Sequence, residues 1–147
     1  MLVQNLSNLF ERDLNKLIEE IQQYKDEYDI WKTTPGINNS GGNLCLHLIG
    51  NLNHFIGAVL GNTGYIRHRD NEFSQKNILR DDLILNIKNC ILIIKSTFDK
   101  LTDADLEKNF PLEKHGEVVS NQHMLLHLFG HLNYHLGQIN YHRRMIG

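Results

Sequence analysis

Apolar residues recur at helical spacing in four stretches of this chain, and both prolines, Pro35 and Pro111, fall between those stretches. Leu6, Leu9, Phe10, Leu14, Leu17, Ile18 and Ile21 share one face, which predicts a first helix over about residues 3–28. Its other face, with Glu11, Asp13, Glu19, Glu20, Asp26 and Glu27, is expected to lie in solvent. Residues 33–42 hold Pro-Gly, Asn-Asn and Gly-Gly and read as a turn-rich connection. A second helix follows over about residues 43–61, then a loop over about residues 62–73. Ser74 is placed to cap a third helix over about residues 75–101, with Ile84, Ile87, Ile91, Ile94 and Phe98 facing inward. The long connection after it is predicted to hold one helical turn at residues 103–107. Ser120 then caps a fourth helix that reaches about residue 145.

Four amphipathic helices in 147 residues predict an all-α fold in one domain, residues 1–147, built as a four-helix bundle. The connections after the second and third helices are longer than antiparallel neighbours require. Fully extended, they outreach a second helix about 28 Å long. A crossover that lets the second and third helices run in the same direction is therefore allowed.

The polar side of the fourth helix changes this picture from a plain bundle to one with chemistry. His127-Leu-Phe-Gly-His131-Leu-Asn-Tyr-His135-Leu-Gly-Gln138 repeats histidine every four residues, with His123 before and His142 after. Each step of four rotates a helical side chain by only about 40°, so these groups share an arc roughly 120° wide. An i, i+4 pair brings two imidazoles within reach of one metal ion. The second helix echoes the pattern in His47-Leu-Ile-Gly-Asn51-Leu-Asn-His54-Phe-Ile-Gly57. His47, Asn51 and His54 lie within about 60° of one another on it, which suggests two polar stripes facing a shared site. Gly50 matches Gly130 and Gly57 matches Gly137. Glycine costs about 1 kcal/mol against alanine inside a helix, and close helix approach is the expected reason for all four.

The acidic residues narrow the chemistry. There is no Asp or Glu between Ile30 and Arg69, nor from Val118 to Gly147. Ferritin-like di-iron bundles need inward glutamates and Glu-x-x-His motifs, so that class is excluded. Neither His127-x-x-x-His131 nor His131-x-x-x-His135 carries the glutamate of the zincin pattern. An all-histidine mononuclear site remains, one that leaves a coordination position for water or substrate. Imidazoles suit Zn²⁺, Ni²⁺ and Cu²⁺; one divalent ion, Zn²⁺ or Ni²⁺ foremost, is expected. With no carboxylate on the second or fourth helix, a catalytic base has to be a spare histidine, His54 or His127, or Asp70 or Glu72 from the loop.

Composition sets wider bounds. Hydrophobic residues make up 41% and charged residues 22%, as in ordinary globular proteins. Net charge is −2, and no basic cluster exceeds Arg67-His-Arg69 or Arg143-Arg144, so no nucleic-acid partner is expected. No uninterrupted apolar run reaches ~18 residues and no signal-like start is seen, which predicts a cytoplasmic protein without a membrane partner. Cys45 and Cys90 sit in apolar helical stretches and are expected to stay reduced. His68, His115, His123 and His142 are expected at the surface or near the chain end. Asn51 and Gln138 can orient ligands by hydrogen bonding or simply link helices.

The ending His131-x-x-x-His135-Leu-Gly-Gln138-Ile139, the early histidine His47 and the Arg69-Asp70-x-Glu72-Phe73-Ser74 turn together resemble the DinB/YfiT-like superfamily over nearly the whole chain. The resemblance implies a four-helix bundle of up-down-down-up order. It also implies that His47, His131 and His135 are the metal ligands. Relatives of that kind include thiol-dependent S-transferases and isomerases. The implied function is a metal-dependent enzyme, thiol S-transferase-like or a small-molecule hydrolase. Its partners would be a small-molecule substrate, such as a low-molecular-weight thiol, and a second copy in a homodimer. The alternative is a non-catalytic bundle that binds metal for structure.

Overall fold

In a computed structural model, which describes residues 1–146, helix α1 spans Leu2–Gln23 and buries Leu6, Phe10, Leu14, Leu17, Ile18 and Ile21 as the apolar stripe predicts. It stops five residues earlier than the predicted end at Tyr28. Tyr24 leaves the helix with ψ 126° and turns its ring into the core. Asp26 then accepts a hydrogen bond from the Tyr28 amide at 2.9 Å, which starts a separate 3₁₀ turn, Glu27–Trp31. That turn drives Ile30 and Trp31 inward. The polar face of α1 is not all solvated either. Asp13 is fully buried, accepting from Arg12 at 2.8 Å and from Asn133 at 3.0 Å. Burying a carboxylate requires such partners, and the donor from the last helix cannot be foreseen from α1 alone.

Helix α2, Gly41–Leu52, starts where Ser40 Oγ accepts from the Asn43 amide at 3.1 Å. Gly41 and Gly42 belong to its first turn instead of the preceding connection. Both are needed there: a Cβ on Gly41 would lie 2.1 Å from the Tyr24 hydroxyl, and one on Gly42 would lie 2.7 Å from the Trp31 ring. The helix continues as a π-helical segment, Asn53–Leu60. An 18-residue window of Gly41–Leu60 reaches a mean hydropathy of 1.2, which by length and composition suffices to cross a membrane. The fold supplies another reason for that apolarity, because every residue of α2 is buried.

The predicted loop ends in a short helix α3, Arg69–Ser74. Ser74 is thus a last helical residue, not a cap, and α4 begins at Arg80, spanning Arg80–Asp99. Two tertiary contacts cause the difference. The Asn43 carboxamide donates to the carbonyls of Glu72 at 3.0 Å and Gln75 at 2.8 Å, which pins the turn. The Glu27 carboxylate accepts from the Arg80 amide, and the Arg80 guanidinium donates to the Tyr24 carbonyl at 2.8 Å. The start of α4 is capped from another part of the chain. By contrast, the turn Asp103–Glu107 forms as predicted, closed by a reciprocal Thr102–Asp105 cap. Ser120 caps α5, Asn121–Ile146, by accepting from the His123 amide at 3.0 Å.

The fold is all-helical, and the described residues hold isolated β-bridges but no strand. Helix α1 packs on α4 and α5, and α2 packs on α3, α4 and α5. Phe10 anchors the first set, with its ring centroid 5.7 Å from Phe98 and 5.3 Å from Phe129. The second set brings His47 of α2 against the histidine face of α5.

Candidate metal centre

His47, on the buried α2, and His131 and His135, one turn apart on α5, meet at the α2–α5 contact. One nitrogen from each lies within 4.8 Å of the others. The Nε2 atoms of His47 and His131 are 3.1 Å apart. Metal–nitrogen bonds of about 2.0–2.1 Å in a tetrahedral shell would separate ligand nitrogens by about 3.3 Å, so this spacing fits a shared ion.

Hydrogen bonds fix which nitrogen two of the three rings present. Glu72 Oε1 lies 3.0 Å from His47 Nδ1, nearer than Arg67 Nη2 at 3.4 Å, and a carboxylate can only accept, so Nδ1 carries the proton and Nε2 a lone pair. Gln138 Oε1 lies 2.7 Å from His135 Nδ1 and does the same for that ring. Burial lowers the pKa of His47 despite the opposing pull of Glu72. Burial, and then the neighbouring His135 and His47, pushes His131 down to about 4. These two rings are neutral at pH 7. Three imidazole nitrogens gathered in this way make a donor set that suits a divalent metal. His131 Nδ1 is buried without a partner among the described residues.

Glu72 is buried within α3 and held by both arms of Arg67, with Nε 2.9 Å from Oε2 and Nη2 3.0 Å from Oε1. The sequence offered Glu72 only as a possible base, and Arg67 not at all. The signal was the acid-free stretch before it: Asp70 and Glu72 are the first carboxylates after Asp29. Gly50 makes room for Glu72, because a Cβ there would fall 1.8 Å from Oε2. Gly57 lies against Ile93 of α4, at 3.0 Å from a built Cβ. Gly130 and Gly137 face open space, so close helix approach does not explain the glycines of α5.

The other histidines are dispersed. His54 is half-buried with its ring against Phe55, and His127 is exposed; neither joins the three-nitrogen group. Burial, then Arg67, lowers the pKa of His54; burial, then Lys114, lowers that of His127. His127 lines a pocket of about 180 Å³ with Asn51, Phe55, Phe110, Met124 and Leu128. Asn51 is buried there with its Oδ1 unpaired among the described residues, while Gln138 is the amide that meets a histidine. His135 and Gln138 border a larger cavity of about 500 Å³ with Asn38, Asn39, Tyr134 and Tyr141. His68, His115 and His123 are exposed as expected. His142 is not: it is buried, donating from Nε2 to the Lys32 carbonyl at 2.8 Å and accepting at Nδ1 from the Tyr24 hydroxyl at 2.6 Å. Tyr24 and the Lys32 backbone, distant in sequence, make that burial possible. Cys45 and Cys90 are free and fully buried, and burial raises both thiol pKa values, that of Cys90 to about 12.

An all-helical protein with a three-histidine group able to hold one metal ion is the class these features define. The chain belongs to the family described as a protein of unknown function (DUF1572), whose model matches residues 2–147. A comparison with curated proteins finds no match.

Proposed function

We propose that the chain is a metal-dependent enzyme of the DinB/YfiT-like kind, acting on a small molecule by thiol transfer or hydrolysis. The observation that carries this reading is the convergence of His47, His131 and His135 with nitrogens spaced for one ion. In the same reading α1, α2, α4 and α5 form the four-helix bundle in up-down-down-up order, working in the cytoplasm as a homodimer.

His47, His131 and His135 would hold Zn²⁺ or Ni²⁺ through their Nε2 atoms. A divalent ion there supplies Lewis-acid chemistry, lowering the pKa of a thiol or water beside it. The donor set brings no charge of its own, since the one carboxylate touching it among the described residues, Glu72, is paired with Arg67. Such a set suits an anionic substrate group, as a low-molecular-weight thiol would provide. The cavity beside His135 supplies amides from Asn38, Asn39 and Gln138 and aromatic walls from Tyr134 and Tyr141 to orient the rest of the substrate. His127 and His54, neutral at pH 7, are the imidazoles left to hold or move a proton at Nδ1 or Nε2. His127 lies one helical turn before His131, on a pocket that Asn51 shares.

The test is metal analysis of untagged protein, followed by thiol-transfer and hydrolase assays on the metal-loaded form and on His54→Ala and His127→Ala. One metal per chain and metal-dependent turnover are expected, reduced in at least one variant. Stoichiometric metal without turnover across a broad substrate panel would make the protein a non-catalytic metal-binding bundle.

A further inference from the structure

We propose that Glu72 is a positioning residue for the histidine centre, and that Gly50 and Arg67 exist in this fold to seat it. The proposal rests on the metal-binding reading above for its consequence, but its geometry stands in the side chains themselves. His47 is the ligand candidate on α2, and its ring has two nitrogens to offer. The bond from Nδ1 to Glu72 Oε1 selects the tautomer that leaves Nε2 free, and Nε2 is the atom facing His131 at 3.1 Å. Phe73, the residue after Glu72, packs on the same ring with centroids 4.9 Å apart and limits its rotation.

A buried carboxylate has to be compensated. Arg67 does this with a two-point grip on both oxygens. A carboxylate behind a histidine raises the basicity of the ligating nitrogen and fixes the ring's orientation, and removing such partners typically weakens metal affinity about 10–100-fold.

The glycine pattern supports the assignment independently. Gly50 and Gly130 occupy matching places in the two histidine motifs, yet a Cβ on Gly50 would strike Glu72 at 1.8 Å while one on Gly130 meets nothing within 4 Å. A glycine inside a fully buried helix, with a carboxylate filling the space of its missing side chain, is a seat for that carboxylate. The three ligand candidates are also supported unequally. His135 has only an amide from the exposed Gln138, and His131 Nδ1 has no partner among the described residues. Glu72 is therefore the carboxylate support of the centre, acting through His47.

The experiment has two readouts, one of which needs no metal. Imidazole ¹⁵N shifts of the metal-stripped protein at pH 7.5 report the His47 tautomer in wild type, Glu72→Gln and Glu72→Leu. Zn²⁺ competition against a chromophoric chelator measures affinity for the same proteins and for Gly50→Ala and Gly130→Ala. Wild type is expected with Nδ1 protonated, Glu72→Leu with a tautomer mixture, and Glu72→Gln close to wild type because its amide oxygen still accepts. Zn²⁺ affinity should fall about tenfold or more in Glu72→Leu and Gly50→Ala, less in Glu72→Gln, and stay unchanged in Gly130→Ala. An unchanged His47 tautomer in a folded Glu72→Leu protein overturns the proposal. So does unchanged affinity in both Glu72 variants. Failure of wild type to bind Zn²⁺ overturns the metal reading and is told apart by the tautomer result.

Discussion

The two histidine motifs of this protein are nearly the same in sequence and differ in almost everything physical. In α2 the motif starts inside the core: His47–Leu52 is buried throughout, and the motif's glycines, Gly50 and Gly57, make room for Glu72 and Ile93. In α5 the motif lies on a helix with one buried edge, Leu128, Leu132, Leu136 and Ile139, and its glycines face open space. His47 gets a buried carboxylate behind it, whereas His135 gets an exposed amide. Matching letters therefore imply neither shared support nor a shared role: His127, the match of His47, stays outside the group that His131 and His135 form with it. The α2 half is a rigid wall built by tertiary packing; the α5 half is a local helical repeat that presents two ligands by spacing alone.

The largest effect that can break this comparison is at the ligands of α5. His131→Ala and His135→Ala should each lose stoichiometric metal while keeping the helical circular dichroism spectrum, because four long helices supply a core that does not need an ion. Elemental analysis checks the first part. Unfolding of both variants would mean the centre holds the fold together instead of resting on it.

Next in size is the glycine contrast, read by urea denaturation. Gly41→Ala should destabilise by about 1–3 kcal/mol, because the new methyl group displaces the Tyr24 hydroxyl from a close-packed interior. Gly137→Ala should stabilise by up to about 1 kcal/mol, since it meets nothing and favours the helix. If the two variants behave alike, the wall-and-repeat distinction fails.

A smaller effect comes from His142, which joins the end of α5 to Tyr24 and the Lys32 carbonyl. Burial holds its pKa below the ordinary 6.5, so the folded state resists protonation that the unfolded chain accepts. Its contribution is complete above pH 6.5 and is lost as pH falls below that value. Thermal denaturation between pH 5 and pH 8 should show a shallower acid slope for His142→Phe than for wild type, whatever the absolute stability of the variant. Equal slopes would show that the Tyr24–His142 contact does not govern acid sensitivity.

The smallest effect concerns reactivity. Cys45 and Cys90 are fully buried with raised pKa values, so alkylation of native protein should follow unfolding and not thiolate chemistry. Modification rates that rise with denaturant, and hardly with pH below 8, are the expected result.

Sequence alone determined what depends on local spacing. Helical periodicity placed the four long helices, Ser120 and the 103–107 turn announced themselves through neighbouring residues, and i, i+4 spacing put His131 and His135 on one face. The echo on α2, with the family resemblance, selected His47, and the fold does bring it to the other two. Tertiary structure alone decided everything that required a partner from elsewhere. It ended α1 at Gln23, moved the start of α4 to Arg80 under Glu27, buried Asp13 against Asn133, and turned His142 inward to Tyr24. It also set Glu72 behind His47 in the space left by Gly50. The physical reason is one of range: periodicity and capping act within about a turn of helix, while the burial of a charge depends on which distant donor reaches it.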